Sequence, residues 1–260
     1  MGQYSPKVTR KASSMTSKSL FETYREACSV ERFAHHKSGK TDIDALTSYA
    51  WNIALSEALY PSLQNLEIGL RNRIASAISD SYGNPWWFDD PAIVDGTLEM
   101  DDVERAEARL QKRGMAITPP AIISELNFGF WSRLLASHYD VAIWRKAGII
   151  QAVFPYMPHP RRRKEAFERF DQIRILRNHV FHHESILHLD LRKEHADIMQ
   201  AMGWLDRSLQ KVTQALDRFP EVYTENYKEN LKLKLMRACP VESKVLIAAR
   251  KIARIYYRFL

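Results

Sequence analysis

Cysteine and glycine are both scarce in this sequence of 260 residues. Only two cysteines occur, Cys28 and Cys239, and they are far apart and form no C-x-x-C pair. Neither a disulfide framework nor a cysteine zinc site is therefore expected, and a reducing cytoplasm fits this composition. The chain has nine glycines and few alternating stretches of Val, Ile and Thr, which indicates long helices and not sheets. The sequence predicts an all-α fold.

Long apolar runs and nucleotide-binding loops are missing as well. No run approaches the length that spans a bilayer, and the N-terminus lacks the apolar segment of a signal peptide. We therefore expect a cytoplasmic protein with no membrane partner. The loops G-x-x-x-x-G-K-[ST] and G-x-G-x-x-G do not occur, so nucleotide triphosphate and dinucleotide enzymes lack their phosphate-binding element. No cofactor is expected.

The chain carries an excess of positive charge, +7 at pH 7. This balance favours a polyanionic partner such as RNA, although many basic proteins bind nothing anionic. We predict a flexible basic arm over residues 1–14 and one all-helical domain over residues 15–260. The helices from about residue 220 onward are candidates for an appended element that binds RNA or mediates dimerisation.

Apolar periodicity places most of the helices. A helix is predicted over residues 15–34, and Thr41 with Asp44 predicts the cap of another that runs to Tyr60. After Pro61, leucines at three- and four-residue steps mark the buried stripe of a long helix. Residues 83–91 are predicted to form a loop whose aromatic side chains pack on the core. Further helices are predicted over residues 101–113, from Thr118 through Leu135, after Pro160 and over residues 191–218.

One stretch, residues 176–184, concentrates the groups that carry chemistry and is called the motif below. Its sequence is Leu-Arg-Asn-His-Val-Phe-His-His-Glu. Arg177 keeps its proton at any working pH, and its planar guanidinium group suits a phosphate. His182 is a histidine, the one side-chain type that ordinarily gains and loses a proton near neutral pH. Asn178 and His182 are four residues apart and share a helix face. A fixed cation, an amide and an imidazole on one side suit metal-free RNA cleavage, in which a base deprotonates the 2′-hydroxyl and a cation holds the pentavalent phosphate.

A single histidine supplies only one of the two proton transfers of this reaction. Two chains that each contribute Arg177 and His182 to a shared cleft supply both, so we expect a homodimer. A single-chain site with His183 as the second proton carrier is the alternative. The products are a 2′,3′-cyclic phosphate and a 5′-hydroxyl, and DNA is inert because it lacks the 2′-hydroxyl.

The string Arg177-Asn178-x-x-x-His182 resembles the R-N-x-x-x-H signature of HEPN ribonucleases, an all-helical superfamily whose members usually form a composite site across a dimer. Three further blocks resemble, in the same order, the Abi-like phage-defence proteins (abortive infection, AbiD/AbiF type). They are Trp51-Asn52-Ile53-Ala54-Leu55-Ser56, Leu66-Glu67-Ile68-Gly69-Leu70-Arg71-Asn72 and Phe128-Gly129-Phe130-Trp131. The resemblance covers roughly residues 41–184. It implies a HEPN-like helical bundle with additional helices, an endoribonuclease of phage defence or a toxin–antitoxin system, and an inhibitory RNA or protein antitoxin.

The resemblance also implies supporting residues, because HEPN proteins often bring a polar side chain from an early helix to the active site. Glu67 and Arg71 are candidates for this role; the alternative is an exposed ion pair within a helix, worth about 0.3–0.5 kcal/mol. His179 and His183 are candidate RNA contacts. Two basic sets are candidate RNA-binding surfaces. The alternative is a solvated basic turn for the first set and an ordinary amphipathic helix end for the second. These sets are Arg161, Arg162, Arg163 and Lys164, and Arg250, Arg254 and Arg258.

Two other functions stay open at this point. His179, with His182 or His183 and with Glu184, has spacings that suit a zinc or iron site of a metal-dependent phosphohydrolase. The string H-E-x-x-H is absent, because Leu187 stands where its second histidine belongs, and we predict no metal ligands. The second function is that of a non-catalytic helical RNA-binding protein, in which the motif serves packing and its arginine pairs with a carboxylate.

Overall fold

A computed structural model describes residues 20–28, 33 and 41–238, and all of the regular secondary structure in these residues is helical. This finding confirms the predicted all-α class. The basic arm at residues 1–14 and the set Arg250, Arg254 and Arg258 lie outside the described residues. No described helix is both long enough and apolar enough to cross a membrane.

The α-helices are numbered here in chain order. They are α1 (Leu20–Cys28), α2 (Asp42–Tyr82), α3 (Thr97–Lys112), α4 (Pro119–Glu125), α5 (Phe128–Arg133), α6 (Ile149–Val153), α7 (Arg163–Phe181), α8 (Leu191–Leu205), α9 (Arg207–Leu216), α10 (Phe219–Val222) and α11 (Glu225–Ala238). Short 3₁₀ segments occupy Trp87–Asp89 and Ser137–Tyr139, and Asp140–Trp144 forms one π-helical turn.

The chain divides into two compact units. The described part of the smaller unit comprises residues 20–28, 33, 41–49 and 229–238. Its centre is aromatic: the ring of Phe33 stacks on Tyr49 at 4.5 Å between centroids and meets Phe21 edge-on at 5.8 Å. Thr41 caps α2 as predicted, since its Oγ1 accepts from the Asp44 backbone N–H at 3.3 Å and donates to the Asp44 carboxylate.

The larger unit, Ala50–Lys228, contains the main apolar core and every residue of the motif. The predicted stripe of α2 is fully buried, which confirms the spacing argument; it consists of Leu59, Leu63, Leu66, Leu70 and Ile74. Helix α2 continues through Pro61, although proline provides no N–H for the helical ladder. The aromatic residues of the loop after α2 also pack inward as predicted, with Trp87 and Phe88 buried and Trp86 more exposed.

The structure corrects two of the predicted helices. The helix predicted over residues 191–218 is two helices, because Asp206 adopts an extended conformation and its carboxylate accepts from the N–H groups of Ser208 and Leu209 at 2.8 and 3.0 Å. Such a side chain ends one helix and caps the next. The segment after Thr118 is also divided, since Asn127 caps α5 by accepting from the Phe130 N–H at 3.0 Å.

Candidate functional site

The motif occupies the C-terminal end of α7 and the turn that follows it. Leu176 and Val180 are buried and fix this end of the helix against the core. Arg177 and Asn178 are partly exposed, and His182 is the exposed C-cap residue. The backbone N–H of His182 donates to the Asn178 carbonyl at 2.8 Å, so the imidazole follows the amide by one helical turn. The sequence therefore places these side chains on the outside of a firmly packed helix.

The turn after α7 has an unusual backbone. His183 lies in the left-handed region, with a φ of 58°, where helix ends generally have glycine. Its N–H donates to the Val180 carbonyl at 3.2 Å, and the Glu184 N–H donates to the His179 carbonyl at 2.9 Å. This pair of bonds is the Schellman arrangement. A side chain in this conformation costs about 1–2 kcal/mol relative to glycine, so the turn holds an exposed imidazole at an energetic disadvantage.

Asn52 of α2 holds this turn in place. Its Nδ2 donates to the Glu184 carbonyl at 3.1 Å, and its Oδ1 accepts from the Ile186 N–H at 2.9 Å. Asn52 is buried, and the partners are 132 and 134 residues away in the chain. One amide therefore satisfies the backbone on both sides of residue 185 and ties the end of the motif to α2.

We expect Asn52→Ala to lower the free energy of unfolding by about 1–3 kcal/mol, because the buried Ile186 N–H would lose its acceptor. Urea denaturation measures this change. Gln64→Ala removes an exposed amide from the same helix and should have an effect within about 0.5 kcal/mol. Equal effects of the two substitutions would contradict a clamping role for Asn52.

Arg177 lies between Glu67 of α2 and its own helix neighbour Phe181. Its Nη2 is 3.5 Å from Glu67 Oε2, and its guanidinium carbon stands 4.1 Å from the centre of the Phe181 ring. Phe181 in turn stacks on Tyr60, with the centroids 5.2 Å apart. Nε of Arg177 is buried and has no hydrogen-bond partner among the described residues. The arginine is thus held by one carboxylate and one aromatic face, which leaves donors of its fork for another ligand.

The carboxyl group of Glu67 interacts with the charges of both Arg177 and Arg71. Burial raises the pKa of its carboxyl above the usual value, while the charges of Arg177 and Arg71 and the backbone N–H of Phe128 act in the opposite direction. About a fifth of its side chain is exposed. A carboxyl that is buried beside two guanidinium groups balances their charge only in its ionised form.

Comparison of the wild type with Glu67→Gln should reveal this raised pKa as a pH dependence. The folded state binds the proton of Glu67 more tightly than the unfolded state, in which the pKa is about 4.3. The stabilising contribution is therefore complete below that value and is lost as the pH rises through the higher folded pKa. We expect the free energy of unfolding of the wild type, relative to the variant, to fall from about pH 4 towards neutrality. Urea titrations across this range measure the difference. A rise with pH would show that attraction to Arg177 outweighs burial.

Residues of all four sequence blocks lie along the contact between α2 and the end of α7. Asn52 comes from the first block and Glu67 from the second, and the third provides Phe128, whose N–H acts on the Glu67 carboxylate. The fourth is the motif itself with Arg177. The sequence indicated Glu67 and Arg71 but assigned no role to Asn52, Tyr60 or Phe181. A signal for Asn52 was available, since a polar residue three positions before buried Leu55 falls on the apolar side of α2.

The histidines near the motif have different surroundings. His179 Nδ1 hydrogen-bonds to the Glu184 carboxylate, and the rings of His179 and His188 meet edge-on at 5.9 Å. His182 and His183 are exposed. Within residues 20–28, 33 and 41–238, no three His, Cys, Asp or Glu side chains are arranged to hold a metal ion.

The four basic residues before and at the start of α7 do not form one free surface. Arg161 donates to the Phe154 carbonyl at 2.9 Å and to the Pro155 carbonyl at 2.6 Å. Arg163 lies 2.8 Å from both Asp140 and the Leu135 carbonyl. Arg162 and Lys164 remain exposed, and Lys164 has an ion-pair partner only at 3.7 Å. RNA contact by this set therefore stays a prediction that rests on two of its four members.

The fold and the motif define the chain as an all-helical protein with a cation, an amide and an exposed imidazole at one helix end. Comparisons with protein-family models, with curated proteins and with solved structures give no match.

Proposed function

We propose that this protein is a metal-independent endoribonuclease of the Abi-like, HEPN type, which acts in bacterial phage defence or in a toxin–antitoxin system. The observation that carries the proposal is the exposed imidazole of His182 at the C-terminal end of α7, one helical turn after Asn178 on the helix that also carries Arg177. The guanidinium suits a phosphate and the imidazole suits proton transfer. The four family-like blocks also all contribute residues along the contact between α2 and the end of α7, which supports the same interpretation.

The reaction follows from these groups. His182 of one chain takes the proton of the 2′-hydroxyl, whose oxygen attacks the neighbouring phosphorus. The bond to the 5′-oxygen breaks, and His182 of the partner subunit gives its proton to that oxygen. Arg177 stabilises the charge that develops on the non-bridging oxygens, and Asn178 orients the phosphate or the facing arginine. Water then has no part in the first step, and the products are a cyclic phosphate and a free 5′-hydroxyl.

In this mechanism a second copy of the chain supplies the second proton carrier. Ile175 lies seven residues before His182, hence on the same side of α7, and its side chain is 46% exposed. Tyr60 and Ile53 of α2 are exposed to a similar degree, 47% and 48%. Apolar side chains around a polar motif support a homodimer that covers this face. Analytical ultracentrifugation of the wild type should therefore show a dimer.

Cleavage of 5′-labelled RNA in the presence of EDTA tests the proposal, followed by end-group analysis of the fragments. We expect fragments with a 2′,3′-cyclic phosphate, unchanged rates with the chelator, and no cleavage of the same sequence as DNA. Cleavage that EDTA removes would favour a metal-dependent phosphohydrolase. Absence of cleavage by a dimeric wild type, across several RNAs, would refute the nuclease.

The alternative is a non-catalytic helical RNA-binding protein. The observation that favours it is the contact of Arg177 with Glu67, because a paired arginine also serves packing. In that case toxicity or RNA affinity would depend on Arg162 and Lys164 and not on His182. An inhibitory RNA or protein partner remains part of the proposal for either function.

A further inference from the structure

A groove of about 520 Å³ follows α2 beyond the motif. One side is formed by α2 from Arg71 to Asp80, and the other by the start of α4 with Pro119, Pro120 and Ile123. This volume lies in the range of small-ligand sites, which are mostly apolar with a few placed polar groups. No residue of the motif lines the groove. Its lining begins at Arg71, whose charge acts on the Glu67 carboxyl.

The near end of the groove is cationic. Arg71 lies one helical turn after Glu67, and its charge lowers the pKa of that carboxyl against the effect of burial. Only its Nε is engaged within the described chain, by the Asn72 Oδ1 at 3.2 Å. The two terminal nitrogens of its fork therefore suit a phosphate. Arg177 and Arg71 both act on the Glu67 carboxyl, so an RNA strand with one phosphate at Arg177 has a second cation nearby at Arg71.

The middle of the groove is suited to a flat, weakly polar group. Pro119, Pro120 and Ile123 give one apolar wall, and the short polar side chains of Ser76 and Ser79 face it from α2. Unpaired nucleobases are generally held by stacking between apolar or aromatic side chains. An apolar wall opposite short hydroxyl side chains suits one base better than a second phosphate.

The far end is anionic. Asp80 is exposed and has no ion-pair partner among the described residues, and it lies nine residues after Arg71, which is about 13 Å along the helix axis. A carboxylate accepts hydrogen bonds and offers none, so it favours the amino groups of adenine, cytosine or guanine. Uracil has no amino group, and its one free N–H lies between two carbonyl oxygens, which a carboxylate repels. The charges at the two ends also fix the direction of the ligand, with its phosphate at Arg71 and its base at Asp80.

We propose that this groove is a base subsite, which takes one nucleotide beside the cleaved bond and selects adenosine, cytidine or guanosine over uridine. The selection rests on the proposed function, because it specifies which RNA that site would cut. Arg71 is the phosphate contact of the subsite, and Asp80 is its specificity determinant.

Binding of 2′-O-methyl oligouridine that carries one adenosine, cytidine or guanosine tests the subsite without any cleavage, because the nucleophilic hydroxyl is blocked. We expect fluorescence anisotropy to show about tenfold tighter binding of at least one of these strands than of oligouridine alone. Asp80→Asn should remove this preference. Glu104→Gln removes an exposed carboxylate of α3 that does not line the groove, and it should retain the preference. Arg71→Gln should weaken all strands alike.

The outcomes separate the subsite from the nuclease. A preference that depends on Asp80 without cleavage of natural RNA would support the subsite and refute the proposed activity. Cleavage that depends on His182 with no effect of Asp80→Asn on base preference would do the reverse. The subsite is overturned if no strand binds, if the wild type has no preference for an amino-bearing base, or if Glu104→Gln changes the preference as much as Asp80→Asn does.

Discussion

Replacement of His182 by alanine is expected to lower the rate of RNA cleavage by about 10²–10⁴-fold, the usual contribution of a positioned acid or base. The imidazole is exposed at the C-cap of α7, so its removal should leave the free energy of unfolding within about 0.5 kcal/mol of the wild type. The measurement is a single-turnover rate on labelled RNA in EDTA.

The matched control for this substitution is His138→Ala. His138 is also an exposed histidine of the larger unit, and its Nε2 lies 2.6 Å from Asp95, away from the residues of the motif. Its loss should leave the cleavage rate unchanged. Cleavage by His182→Ala within a few-fold of the wild type would remove that residue from the reaction.

Mixed dimers test whether two chains share the site. When wild-type and His182→Ala chains exchange freely, only a dimer with two wild-type chains retains both proton transfers. The activity should then fall with the square of the wild-type fraction. A fall in direct proportion to that fraction would show a complete site in each chain, as in the alternative with His183 as the second proton carrier.

Replacement of Arg177 should have the second large effect, a fall of about 10²–10³-fold in the cleavage rate for Arg177→Gln. Among the described residues, the guanidinium of Arg177 is the cation that pairs with Glu67, with Nη2 at 3.5 Å from Oε2, and its side chain is 23% exposed. Arg177→Lys should restore only part of the rate, since a point charge does not reproduce a planar fork that also stacks on Phe181.

Loss of packing would also lower activity, so the free energy of unfolding has to be measured for the same variants. Removal of Arg177 leaves Glu67 with Arg71 as a neighbouring cation, and we expect a destabilisation of about 1–3 kcal/mol. A double substitution with Glu67→Gln should recover part of this stability but none of the cleavage rate. Recovery of both, or an Arg177→Lys chain as active as the wild type, would make the arginine a packing residue.

Local sequence patterns predicted the helices of this protein well wherever one strong signal was present. The leucine stripe of α2, the cap at Thr41 and the end of α3 before Gly114 with its φ of 64° each depend on neighbours within one or two turns. The long helix predicted over residues 191–218 was wrong because the apolar period continues through Asp206. Only a backbone change at that residue, supported by its two N–H partners and by Arg73 at 2.8 Å, separates α8 from α9.

The sequence by itself determined the all-helical class and the side chains that the motif contains, since composition and spacing fix these. The structure added that the motif lies at the C-terminal end of α7. The tertiary structure alone decided that Glu67 reaches Arg177, that Asn52 holds the turn after His182, and that Arg161 and Arg163 are engaged by backbone carbonyls. The contacts of Glu67 and Asn52 join residues far apart in the chain, and their partners depend on how α2 and α7 pack. Periodicity records which side of a helix is buried, but it does not record which residue lies opposite.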